Sequence, residues 1–173
     1  MFNLINLNEV RNEIISEIES DINQDKLYIS EHLNPNGKIL WPKKLLEAAE
    51  SMSVDEFTNS FSMENFNPTF ERRKPKGGFT TVTMAHNANA RLCEGELNRF
   101  YIRGVCLKAI ATNQELVTCY RARPSDNPRQ ESIAVEGKQF NAEQLLKDLR
   151  INIGVDTALG LPAGPNSGMS IKL

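Results

Sequence analysis

The chain has 173 residues, 40% hydrophobic and 24% charged, with a formal net charge of -2; that length suits one domain able to bury a core without metal or disulfide staples. No stretch approaches the roughly 18 consecutive apolar residues of a membrane span, and the opening MFNLINLNEVRNEI lacks the basic and apolar regions of a secretory leader, so neither a membrane partner nor signal-peptide export is expected. Cys93, Cys106 and Cys119 are odd in number and form no metal-ligand spacing with His32 or His86, so reduced buried thiols, with no metal and no cofactor, are expected. Charge is unevenly spread: residues 1–60 carry 11 acids against 5 bases, residues 61–173 carry 11 against 15. Such a split points to a polar partner surface, or to self-association of an acidic arm with a basic body.

In chain order, Leu7, Val10, Ile14, Ile18 and Ile22 recur at spacings of three and four with Glu9, Glu13, Glu17 and Glu19 off that line, which predicts an amphipathic helix over 7–22. HLNPNGKILWP reads as turn chemistry before a helix opening at Pro42 and running to Met52. Ser53 and Glu56 have capping-box spacing and predict a short helix near 54–61. Ser62–Gly78 holds two prolines, two glycines and a basic run, so it reads as an extended, exposed connection. Phe79–His86 is rich in β-branched residues and predicts a strand. A helix begins between Asn89 and Glu96 and runs to Ala111. ELVTCYRA, residues 115–122, alternates as a second strand expected to pair with the first across that helix. RPSDNPRQES is loop, Ile133–Val135 a short strand, and Asn141 with Gln144 opens a helix through Arg150. The Gly/Pro-rich end closes in an edge strand at Met169–Leu173. The fold class is therefore α+β: acidic helices over 1–61, a basic linker over 62–78, and over 79–173 a small sheet packed on one central helix.

The chemistry centres on LNRFYIRGVCLKAIA, residues 97–111. Leu97, Phe100, Tyr101, Gly104 and Val105 lie on one core face, and Gly104 lets a neighbour approach closely. Arg99 and Arg103 sit beside that face, with Glu96 placed to pair with Arg99. They either form a solvated helix edge with local ion pairs or join Arg121, Arg123 and Arg129 on one surface. Five converging guanidinium forks would suit phosphates or a partner's carboxylates. Arg72, Arg73, Lys74 and Lys76 in ERRKPKGG form a basic loop able to touch a nucleic-acid backbone or an acidic protein surface. Asp126, Glu136 and Lys138 imitate a magnesium-nuclease arrangement, but VEGK around Gly137 reads better as a turn. His86 stands alone, no Ser-His-Asp or Cys-His grouping exists, and GLPAGPNSG lacks the lysine and helix of a phosphate loop. No catalytic residue is assigned.

The order of ELNRFYIRGVC, VTCYRARPS and GLPAGPNSG, within residues 96–169, resembles small uncharacterised proteins encoded by tailed bacteriophages. The resemblance implies a phage setting, in the virion or the host cytoplasm, and a virion component that binds its neighbours. The expectation is a non-enzymatic structural protein of the head or head-to-tail region, contacting itself or other particle proteins. A nucleic-acid-binding protein is the alternative, and a magnesium nuclease ranks behind both.

Overall fold

The computed structural model describes residues 2–152 and 168–173. It is a mixed helix and sheet fold with two small antiparallel sheets, the α+β class expected. A 3-10 turn at Leu7–Glu9 leads into α1 (Arg11–Asn23), whose Ile14 and Ile18, with the preceding Val10, are fully buried. Glu17 and Asp21 are buried too, although periodicity placed Glu17 on the solvent side.

Helix α2 (Pro35–Ser51) opens a full two turns before the expected Pro42. The Asn34 carboxamide oxygen accepts from Gly37 N–H at 2.9 Å and Pro35 occupies the first turn. Asn34-Pro35 is thus a helix start, and Pro42 lies inside the helix, tolerated as a lost backbone donor. Gly37 is required here: a Cβ would lie 2.2 Å from the Asn65 carbonyl oxygen. Trp41 donates its indole N–H to Tyr28 O at 3.0 Å and packs on Phe57 and Phe61, with ring centroids 5.7 and 5.1 Å away. These aromatics stabilise the α2–α3 contact, each burial being worth roughly 1.5–3 kcal/mol. Helix α3 (Val54–Ser60) starts with the expected capping box: Glu56 N–H donates to Ser53 Oγ and Ser53 N–H to the Glu56 carboxylate.

The presumed linker is built differently. After a 3-10 turn at Met63–Asn65, β1 (Thr69–Arg73) pairs antiparallel with β2 (Phe79–Thr83) in a hairpin, Arg73 facing Phe79 and Thr69 facing Thr83. Lys74 N–H donates to Gly78 O at 2.9 Å, and Gly77 and Gly78 take positive φ, so the glycines shape the tip. The strand at 79 therefore pairs with its own neighbour rather than across the next helix. A hairpin closes a short loop, whereas the expected crossover pairing had to span more than thirty residues.

Helix α4 (Ala88–Ala111) is the axis of the molecule. It packs against α1, α2, α3, α6 (Ala142–Ile151), β3 (Leu116–Arg121) and β5 (Met169–Lys172). Every residue from Glu96 to Cys106 is buried, so its centre has no wet face. Gly104 permits the contact with α1: a Cβ there would lie 2.8 Å from Ile14 Cγ1. Strand β3 is central in the order β4-β3-β5, with β4 (Gln139–Asn141) and the expected edge strand β5 both antiparallel to it. Residues 133–135, expected as a strand, finish α5 (Gln130–Val135), a helix that buries Ser132 and leaves Ile133 46% exposed. That three-residue apolar run is too short to discriminate the two periods. The helices of 1–61 and the elements of 79–173 share one hydrophobic cluster, so the acidic segment is part of the common core. Of the Gly/Pro-rich end, residues 153–167, with most of GLPAGPNSG, lie outside the described residues.

Candidate functional site

The structure divides the nine cationic candidates into three groups. Arg103 is 1% exposed and lies inside the fold. Its Nε donates to Glu17 Oε2 at 2.6 Å, while Nη1 and Nη2 donate to the two Asp21 oxygens at 2.6 and 2.8 Å. Its guanidinium carbon also lies 4.7 Å from the centroid of the Phe100 ring. Arg150 completes the cluster by donating through Nε and Nη2 to the Glu17 carboxylate. Burial pushes the Glu17 carboxyl up, but the hydrogen bond from Arg150 and the charge and hydrogen bond of Arg103 outweigh it, holding the group below the usual carboxylate range. Arg99, also buried, donates Nη2 to Leu149 O at 2.9 Å and Asn152 O at 2.5 Å, capping the C-terminal end of α6. Neither arginine is a solvated helix edge, and neither joins a surface with the other three. Part of the acidic and basic split is thus satisfied within one chain, between α1 and α4. The available signal was Glu17 and Asp21, four residues apart on one helix, but nothing local says what they face.

Arg121, Arg123 and Arg129 do come together, around a depression of about 310 Å³ that also borders Ser125, Ser132 and Gly168. Two are engaged by acids. Arg121 donates Nε to Glu136 Oε2 at 3.1 Å, and Arg123 donates Nη1 to Glu94 at 2.7 Å. Glu136, the nuclease candidate, is therefore an ion-pair partner, Asp126 lies exposed in the β3–α5 loop, and Gly137 takes φ +80° in the turn before β4. Among the described residues no three His, Cys, Asp or Glu side chains converge on a cation position. Arg72, Arg73, Lys74 and Lys76 form the third group, all exposed on the hairpin and its tip, with Phe79 63% exposed beside them.

A second concavity escaped the sequence reading. The hairpin, the Tyr28–His32 segment and the first half of α4 enclose a cleft of about 380 Å³ whose walls include His32, Phe66, Phe70, Met84, Leu92 and Glu96. The His32 and Phe70 rings lie 4.5 Å apart. Glu96 is 8% exposed and its Oε2 has no hydrogen-bond partner. Burial pushes its carboxyl up to about 7, against the pull of Arg99 and Arg103 and with a smaller push from Asp21. A cleft with apolar walls and one perturbed carboxyl is the usual physical profile of a ligand site. The only signal in the sequence was an acid inside an otherwise buried helical run, which local spacing assigned to Arg99.

No family model, no curated protein and no solved structure matches this chain.

Proposed function

We propose that the chain is a non-enzymatic assembly protein, a component of a tailed-phage particle in its head or head-to-tail region, that seats its basic hairpin on an acidic surface of another copy or of a neighbouring particle protein. The hairpin is the observation that carries this reading. Arg72, Arg73, Lys74 and Lys76 are exposed together, Phe79 stands 63% exposed beside them, and among the described residues β1 and β2 pair only with each other. A two-stranded ribbon is marginally stable alone, and open strand edges favour pairing with another chain. The cations steer such an encounter toward acidic surface, and Glu19, Asp25, Glu31 and Glu50 are individually exposed acids on this chain. The phage setting rests on the resemblance over residues 96–169.

Light scattering on the full chain and mass spectrometry of purified particles test the reading. An oligomer that dissociates when Arg72, Lys74 and Lys76 are changed to Glu, with unchanged melting temperature, supports it; a monomer absent from particles refutes it. A second reading, a nucleic-acid-binding protein, draws on the same hairpin together with the depression bordered by Arg121, Arg123 and Arg129. DNA or RNA binding that weakens steeply with salt supports it, and no binding at low salt ends it.

A further inference from the structure

We propose that the cleft at the root of the hairpin binds a small organic cation, an alkyl- or arylammonium whose head meets Glu96 and whose apolar body lies among the aromatic walls. The proposal is independent of the assembly reading. The cleft holds about 380 Å³, within the rough range of 300–1,000 Å³ for small-ligand sites. Tyr28, Phe66 and Phe70 bring three aromatic rings to its walls, and the negative face of such a ring attracts a cation. Val82, Met84 and Leu92 supply apolar contact for the body of the ligand.

Glu96, the acid among the lining residues, sets the sign of the ligand against the exposed Arg91 on the same walls. Its Oε2 is buried without a hydrogen-bond partner, and an ionised carboxylate only accepts. A neutral apolar guest would leave that oxygen unsatisfied, and an anionic guest would be repelled by it. An ammonium head supplies both the donor and the charge. Arg103, two turns along α4, directs its donors to Glu17 and Asp21, and Arg99 Nη2 is directed to the carbonyls that end α6. The charged groups acting on Glu96 are Arg99, Arg103 and Asp21, and the titratable side chains on the cleft walls are Tyr28, His32 and Arg91. Because burial holds the Glu96 carboxyl up to about 7, cation binding completes its ionisation and releases a proton to solvent.

Calorimetric titration of the full chain with benzylammonium, benzyl alcohol and benzoate tests this. Benzylammonium is expected to bind saturably, with the alcohol and the benzoate at least about tenfold weaker. The ionised fraction of a group titrating near 7 falls about tenfold between pH 8 and pH 6, so the affinity for benzylammonium should fall by the same factor. Glu96→Gln should abolish both the charge preference and the pH dependence, whereas His32→Gln should retain them. The proposal is overturned if benzylammonium does not bind saturably, if the alcohol binds as well, or if His32→Gln removes the pH dependence. Should Glu96→Gln fail to fold, the wild-type chain still decides: a benzylammonium affinity that does not change between pH 6 and pH 8 overturns the assignment.

Discussion

Replacing Arg103 with methionine keeps most of the side-chain volume and removes the charge from the centre of the molecule. In the native chain the guanidinium is 1% exposed and makes three hydrogen bonds to Glu17 and Asp21. Glu17 keeps Arg150 in the variant, but Asp21 loses both bonds while 7% exposed. Removing one partner of a buried ion pair costs about 3–5 kcal/mol, because the other charge is left uncompensated. That is a large share of the roughly 5–15 kcal/mol by which domains are stable. For a chain of this size each kcal/mol moves the melting temperature by about 2–4 °C, so Arg103→Met should lower it by about 6–20 °C in a circular dichroism melt. The double variant Arg103→Met with Asp21→Leu removes the orphaned carboxylate and should recover at least half of that loss. The pH profile gives an independent check. Glu17 is held below its ordinary value of 4.5, so its ionised form stabilises the fold above that pH, and the contribution disappears as pH falls through the lowered native value. Arg103→Met should flatten this acid limb. A single variant that loses less than about 1 kcal/mol, or a double variant less stable than the single, would refute the view that the cluster acts through paired buried charge.

Further predictions concern the core around α4. Gly104→Ala places a Cβ 2.8 Å from Ile14 Cγ1 and should destabilise by about 1–3 kcal/mol through overpacking; denaturant melts showing no loss would mean that α1 can move away. The raised Glu96 carboxyl binds its proton more tightly in the folded chain, so its stabilising contribution is full below 4.5 and is lost as pH rises to about 7. Glu96→Gln should therefore gain stability relative to wild type across that window, and parallel stability curves for the two chains would contradict the assignment. Burial pushes the Cys106 thiol up to about 12 and the Cys93 thiol higher still, and Cys119 is 1% exposed. Ellman's reagent should label none of the three in the folded chain and all of them in denaturant; rapid native labelling would show that the core opens locally.

Where a single stretch carries its own instruction, the sequence alone determined the outcome. The 3.6-residue period around Ile14 and Ile18, the Ser53–Glu56 cap, the alternation in LVTCYR and the Asn141–Gln144 start each act within about ten residues, and each appears at its expected place. Asn34-Pro35 was equally local but ambiguous, because the same dipeptide serves turns and helix starts; the observed cap and the fit of Gly37 against Asn65 decide for the helix. KPKGG was ambiguous in the same way, and strand pairing turned a presumed linker into a hairpin.

Only the tertiary structure decided what the arginines do. Arg103 lies 82 residues from Asp21, and no spacing rule connects positions so far apart. Enclosing the centre of α4 removed solvent from Arg99 and Arg103, and a guanidinium without water must take its partners from the protein. The same enclosure left Glu96 Oε2 without a partner beside a cleft that no single segment encodes. Local patterns act along the chain, whereas burial and charge compensation depend on which distant segments meet.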